Sequence, residues 1–289
     1  MPEQTSTKPP THDDAGSTAE STTELTVRTD FQLTEADREA FDRDGCVKLR
    51  GVIDPAQLQT SGPVITDEVI RLNTQHLPLA ERDTYGKAFL QVSNIWQDSP
   101  AVETFVRSPD LARLAAELLG VRAVRLYHDQ ALYKEASGGN TPWHADQYYW
   151  PFTTDRCVTV WIPLQDTPAD MGPLTFFAGS HRFTEGRDLP ISDESEARIA
   201  EMMVSQGFDR DDAPYALGDL SFHLGWTFHG AGPNTGGDAR RVMTVIYVDA
   251  DMIIAEPVND NQVVDLERWM PGCRVGDVVD SELNPVLYP

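Results

Sequence analysis

From Val121 onward the chain breaks into short apolar or alternating runs separated by Gly, Pro and Asp, and this pattern restricts the fold more than any other feature. The runs are Val124 to Lys134, Val158 to Ile162, Leu174 to Phe177, Leu220 to Phe222 and Val242 to Val248. Strand-length segments without a helix after each one do not build a parallel βαβ sheet; they call for an antiparallel sandwich or barrel. One helical stretch, about Ser192 to Gln206, interrupts them. The expected class is mainly β with flanking helices.

The preceding third is mainly helical. Thr34 caps a short helix through Glu35, Ala36 and Asp37, with Ala40 and Phe41 on its apolar side and Gly45 as its stop. A strand, Cys46 to Leu49, is expected next. Asp54 and Pro55 open a second helix through Val64, Val69, Ile70 and Leu72, and Ser108 to Gly120 makes a third. Residues 1–28 are rich in Thr, Ser, Pro and Glu with no apolar periodicity, so they are expected to form a disordered acidic tail. The remainder, 29–289, reads as a single domain: helices over 33–120, a β core over 121–250 with a helical insertion at 181–215, and a C-terminal wrap over 251–289.

A chain of 289 residues with 40% hydrophobic side chains can bury a substantial core. Its formal net charge of −23 repels nucleic-acid phosphates and anionic headgroups, so neither nucleic acid nor membrane is an expected partner. No run approaches the roughly 18 apolar residues of a membrane helix, and the N-terminus lacks a basic-then-apolar layout, so a cytoplasmic location is expected. Cys46, Cys157 and Cys273 are far apart and suggest neither a disulfide framework nor a zinc-thiolate site.

The chemistry-bearing signal is Trp143-His144-Ala145-Asp146, with His229 far downstream in Phe228-His229-Gly230. On a strand or at its end, the period of two turns His144 and Asp146 to one side, where an imidazole nitrogen and a carboxylate oxygen reach one metal ion. His229 from a neighbouring strand completes a face. Two histidines and a carboxylate on one face leave the opposite positions open, which suits Fe(II) that must take a cosubstrate and dioxygen together. A lone His-x-Asp is common without any metal; the surrounding residues lift this one above accident. Arg240, eleven positions after His229 and at the start of the run to Val248, offers a two-pronged donor for the far carboxylate of a dicarboxylate cosubstrate. Arg241 competes for that role, because adjacent strand residues face opposite ways.

These residues resemble the phytanoyl-CoA dioxygenase family of Fe(II)- and 2-oxoglutarate-dependent oxygenases. The resemblance rests on Trp143-His144-Ala145-Asp146-Gln147-Tyr148-Tyr149, on Trp161, on Met171-Gly172-Pro173-Leu174 leading to Ala178-Gly179-Ser180-His181, on Gly218-Asp219, and on His229-Gly230-Ala231-Gly232-Pro233-Asn234 with Arg240. It implies a double-stranded β-helix, a jelly-roll or cupin-like squashed barrel, with iron held by His144, Asp146 and His229. It also implies that Arg240 binds the distal carboxylate of 2-oxoglutarate and that Trp161 lines the cosubstrate pocket. By position, His128 is a polar cosubstrate contact or a satisfied core histidine, and Lys134 on the same strand face is a weaker cosubstrate contact. Ala231 stands where some relatives carry a hydroxyl. Asp146 is the carboxylate that related halogenases replace with a small residue, so hydroxylation or another oxygen-driven oxidation is implied, with release of succinate and carbon dioxide.

His181 resembles a turn-fixing residue, and His223 has no matching role. Tyr148, Tyr149, Trp150 and Phe152 either wall a substrate pocket or pack the barrel. The implied substrate is a small molecule of secondary-metabolite type. An acyl-CoA is the alternative suggested by the family's name, against which the acidic body argues. A redox-silent metal-binding module and a cupin-like isomerase or dioxygenase without cosubstrate are the competing classes; the intact set His144, Asp146, His229 and Arg240 argues against the first, and the second needs more histidine ligands and leaves Arg240 without its role.

Overall fold

A computed structural model describes residues 24–289, so the expected disorder of residues 1–23 lies outside the described part. Residues 24–28, expected in the tail, are packed: Leu25 and Val27 are buried, and Val27 bridges Ile53. The elements in chain order are α1 (Glu35–Asp44), β1 (Cys46–Leu49), α2 (Pro55–Leu72), α3 (Thr84–Ala88), β2 (Leu90–Ser93), α4 (Pro100–Val106), α5 (Pro109–Leu119), β3 (Val124–Tyr133), β4 (Thr141–His144), β5 (Cys157–Pro163) and β6 (Leu174–Phe177). They continue with α6 (Asp193–Gln206), β7 (Arg210–Asp211), β8 (Leu220–Leu224), β9 (His229–Ala231), β10 (Val242–Asp249), α7 (Asp260–Trp269) and β11 (Val286–Tyr288).

The caps read from the sequence are present. Thr34 and Asp37 form a reciprocal capping box on α1, Gly45 ends it with φ 71°, Asp54 caps α2, and Ser108 and Gly120 bracket α5. In the C-terminal segment, expected as an ordered wrap, Asn259 caps α7 and β11 pairs with β3. Helix α7 buries Gln262 and Trp269 and packs Leu266 against the second apolar cluster.

The strands form two antiparallel sheets. One runs β1-β8-β5-β10-β3-β11 with β2 also on β3, and the other runs β4-β9-β6-β7. This is the expected jelly-roll arrangement, although no ladder joins the two sheets among the described residues, so the barrel is open rather than closed. Alternation assigns the faces. On the large sheet Val158, Val160, Ile162, Phe222, Val245 and Tyr247 pack against α2, α4 and α5 in the main core. Thr159, Trp161, His223, Thr244 and Ile246 point the other way, into a cavity between the sheets. On the small sheet Trp143, Phe177 and Phe228 face α6, whose Ile199 and Met203 cover them.

A bulge sets the phase of β3. Ile246 pairs with His128 and Tyr247 with Leu126, so Tyr127 is the extra residue, and His128, Gln130 and Leu132 are thereby turned to the cavity.

On the same strand Asp129 is fully buried. Its Oδ2 accepts from Ile95 N–H at 3.1 Å, Oδ1 has no partner, and burial pushes its pKa up to about 7. A raised folded-state pKa means the folded protein holds the proton more tightly than the unfolded chain. Its contribution therefore falls as pH rises from the ordinary value of 3.8 to about 7 and is flat above. Asp129→Asn is expected to remove that slope, moving the difference in stability toward the variant by at most about 1.4 kcal/mol per pH unit in that window. Denaturant melts of both proteins at pH 5 and pH 8 check this; parallel stability–pH curves would contradict it.

Candidate metal centre

The pairing of β4 with β9 sets His144 directly opposite His229. β4 ends at His144, Ala145 stays extended at φ −120° and ψ 127°, and Asp146 opens a short 3-10 turn. This swings its carboxylate back over the two rings. Asp146 Oδ1 is 3.5 Å from His144 Nε2 and 3.5 Å from His229 Nε2, and the three ligand atoms lie within 4.8 Å of one another.

The hydrogen bonds assign the tautomers. His144 Nδ1 donates to Pro142 O at 2.7 Å and His229 Nδ1 donates to Thr227 O at 2.9 Å, so both Nε2 lone pairs face Asp146. Burial, then the neighbouring His144 ring, keeps the His229 pKa well below its ordinary value, so the imidazole stays neutral. Burial penalises the charge of Asp146, but the surrounding His229, His144 and His223 rings outweigh it and hold the carboxyl well below the usual range. Two imidazoles and one carboxylate on one face, with a cavity in front, is the donor set that suits a divalent iron with open positions.

Arg240, not Arg241, enters the cavity: it is 2% exposed, whereas Arg241 does not line that space. Its neighbourhood explains most of the glycine-rich motif. Asn234 Nδ2 reaches the carbonyls of Lys134, Glu135 and Asp238 at 2.8–3.2 Å, tying down the loop after His229, and Arg240 then pairs with Lys134 backbone to backbone. Arg240 Nη1 donates to Gly172 O at 2.5 Å. Gly172 sits at φ 65° with Gly232 O only 2.3 Å from where a Cβ would stand, so a side chain there would break this approach. The guanidinium lies 5.5 Å from the Trp161 ring centroid, Nε has no partner, and burial lowers its pKa to about 10, which leaves it cationic at neutral pH. The other members of the motif set serve the scaffold. Asp219 accepts from the Gly51 and Ala216 amides, and Ser180, rather than His181, fixes its turn by accepting from Phe228 N–H at 3.0 Å.

The remaining expected residues divide. His128 lines the cavity with Nδ1 unpartnered, stacks on Trp269 at 4.7 Å, and is pushed by burial down to about 3, hence neutral. Lys134 does not line the cavity: the chain has left β3, and its Nζ donates to Gly139 O and Thr141 Oγ1. Burial and the Arg240 charge lower its pKa to about 6. Tyr149 and Trp150 line the cavity, and Tyr149 OH accepts from Ile191 N–H at 2.9 Å. Tyr148 instead holds α7 through its carbonyl, which accepts from Asn259 and Gln262, and Phe152 packs on Tyr127 and Trp150 in a second apolar cluster.

Two groups of site residues escaped the sequence reading. Thr159 and His223, on β5 and β8 of the large sheet, both reach Asp146 Oδ2. Helix α7 supplies Asn261, Val264, Asp265, Arg268 and Trp269 to the cavity wall, facing Tyr85 and Phe89 from the N-terminal region. Asp265 accepts from Tyr127 OH at 2.9 Å and burial pushes its pKa up to about 7.

Comparison with known proteins agrees with this geometry. The model of the phytanoyl-CoA dioxygenase (PhyH) family matches residues 41–242. A probable alpha-ketoglutarate-dependent hypophosphite dioxygenase of Stutzerimonas stutzeri is 28% identical over 156 residues, covering 52% of this chain and only about half, 54%, of the relative's own length. Among solved structures, the alpha-ketoglutarate-dependent carbocyclase SnoK of nogalamycin biosynthesis superposes with a TM-score of 0.72 at 22% identity, covering 88% of this chain and 96% of that one. The epimerase SnoN, in complex with Fe3+, alpha-ketoglutarate and nogalamycin RO, gives a TM-score of 0.69 at 26% identity, covering 88% and 98%. With the family model spanning well over half of its length, and its residues falling at the metal centre and at the arginine behind it, this chain belongs to the phytanoyl-CoA dioxygenase family.

Proposed function

We propose that this chain is an Fe(II)- and 2-oxoglutarate-dependent dioxygenase, built as one oxygenase domain over residues 29–289, that hydroxylates or otherwise oxidises an unactivated carbon of a small molecule. The observation that carries this reading is the convergence of His144, Asp146 and His229, in ligand-competent tautomers, with a buried guanidinium at the bottom of the same cavity. His144, Asp146 and His229 would hold the iron. Arg240 would take the distal carboxylate of the cosubstrate, with Trp161 as the wall that keeps water from that pair. Bound iron and 2-oxoglutarate supply dioxygen-driven oxidation of a C–H bond, coupled to decarboxylation of the keto acid to succinate.

The protein's own part is to orient the substrate and exclude water. The cavity, about 460 Å³, is lined by Tyr85, Phe89, Tyr149, Trp150 and Trp269, with Gln91, His128, Asn261 and Asp265 as polar points among them. That mixture suits a cyclic or aromatic small molecule bearing polar substituents. Among the described residues Arg268 is the one cation in the wall besides Arg240, which disfavours a polyphosphorylated coenzyme. The likeness to SnoK and SnoN, enzymes of nogalamycin biosynthesis, supports a secondary-metabolite substrate.

Anaerobic addition of Fe(II) and then 2-oxoglutarate to metal-free protein is expected to give the weak visible charge-transfer band of a chelated keto acid, and admission of dioxygen to give succinate. Metal uptake with neither band nor succinate would favour a redox-silent module. Turnover coupled only to a CoA thioester would favour the acyl-CoA reading.

A further inference from the structure

Three imidazoles surround Asp146, and one of them is wired in the opposite sense from the other two. His144 and His229 each give their Nδ1 proton to a backbone carbonyl and present a bare Nε2 toward Asp146 Oδ1. His223 has no such carbonyl. Its Nδ1 is buried without a partner, and its Nε2 lies 3.3 Å from Asp146 Oδ2. An ionised carboxylate oxygen only accepts, so the His223 proton sits on Nε2 and its bare nitrogen is Nδ1. Thr159 Oγ1 donates to the same Oδ2 at 3.1 Å.

Resting on the iron reading above, we infer that His223 is a positioning residue. It donates to Asp146 Oδ2 and, together with Thr159, holds that oxygen away from the metal, so the carboxylate binds through Oδ1 alone. The two oxygens are thereby given different tasks. Oδ1 faces the gap between two imidazole lone pairs, whereas Oδ2 is occupied by two donors. A carboxylate free to rotate would take the metal through both oxygens and fill a position that cosubstrate and dioxygen need. His223 is not one of the converging ligands: among the described residues the trio whose ligand atoms all lie within 4.8 Å of one another is His144, Asp146 and His229, and His223, although its ring stands 4.4 Å from that of His229, completes no such trio.

The topology makes this division systematic. The histidine ligands stand on β4 and β9 of the small sheet, with Asp146 just after β4, while the donors to Oδ2 stand on the large sheet, where His223 on β8 is the register partner of Thr159 on β5. The clamp therefore fixes the carboxylate relative to the opposite wall of the cavity, a wall that also carries Trp161 and Ile246.

Metal-free full-length protein and its His223→Gln, His223→Asn and His223→Leu variants, titrated with Co(II), test this. The Gln amide nitrogen reaches the place of Nε2 and keeps the donor; the shorter Asn and the apolar Leu do not. His223→Leu and His223→Asn are expected to weaken Co(II) binding by about 10- to 100-fold, as loss of an outer partner of a metal ligand does. Their ligand-field bands should also weaken as the carboxylate becomes bidentate, while His223→Gln keeps the wild-type affinity and spectrum. Wild-type affinity and spectrum in both Leu and Asn variants would overturn the inference. So would a Gln variant as impaired as Leu, which would mark His223 as a ligand. Failure of the wild-type protein to take up Co(II) at all would instead sink the metal reading on which the inference stands. Melting of the four metal-free proteins separates a loss of fold from a loss of binding.

Discussion

Asp146→Ala is expected to remove most of the iron affinity proposed for this site and, with it, the stabilisation that iron would confer. Asp146 contributes the only negative charge of the donor set, and its Oδ1 is the atom on which both histidine nitrogens converge at 3.5 Å. Losing even an outer partner of a metal ligand costs about 10- to 100-fold in affinity, so losing the charged ligand itself sets about 100-fold as a floor. The readout is independent of turnover. Iron at a hundred times the wild-type dissociation constant is expected to raise wild-type stability by about 2.7 kcal/mol, and the variant by no more than about 0.4 kcal/mol at the same concentration. Anaerobic melts with and without Fe(II) measure both. An Asp146→Ala protein that melted higher with iron, by the same margin as wild type, would place the metal elsewhere.

His144 and Asp146 were readable in the sequence because a strand's period of two acts locally, and His229 because a distal histidine sits ahead of a glycine-rich turn and an arginine. Arg240 and Arg241 could not be told apart from alternation alone. The choice is made by the backbone pairing of Arg240 with Lys134 and by the Asn234 clip, both of which bring together segments about a hundred residues apart. His223 and Thr159 were invisible for the same reason: their bearing on Asp146 comes from the register of β8 on β5 and from two sheets facing each other. His128 reached the cavity through a bulge at Tyr127, and Lys134, expected to share its strand face, lies past the strand end and turns to Gly139 and Thr141.

The helix α7 teaches a different lesson. It lies outside residues 41–242, the span matched by the family model, yet it supplies Asn261, Val264, Asp265, Arg268 and Trp269 to the cavity. Those residues are polar or exposed for the most part, so neither apolar periodicity nor family likeness points to them. The proposed metal and cosubstrate contacts belong to the part of the chain that the family model matches, and a large share of the cavity wall belongs to a part it does not match.

Arg240→Met has opposite effects on function and on stability. In the protein alone the guanidinium is buried at 2% exposure and makes a single hydrogen bond, to Gly172 O, while Nε has none. A buried cation without a carboxylate partner is costly, and replacing it with an apolar side chain of similar length removes that cost. The metal- and cosubstrate-free variant is therefore expected to melt higher than wild type. Cosubstrate binding goes the other way. In the proposed site a dicarboxylate that chelates iron through its near end would meet Arg240 with its far end, and removing one partner of a buried ion pair costs about 3–5 kcal/mol, or on the order of 100-fold or more in affinity. Arg240→Lys keeps a charge but not the two-pronged donor and falls between the two. Iron affinity stays at the wild-type level in both variants, because Arg240 is not among the three converging ligands. A higher melting temperature, unchanged iron binding and a cosubstrate titration shifted by at least that factor together place the arginine as a group kept unsatisfied in the free protein so that it is ready for a carboxylate. A variant that melted lower, with 2-oxoglutarate affinity intact, would make Arg240 a structural residue and move the cosubstrate site elsewhere in the cavity.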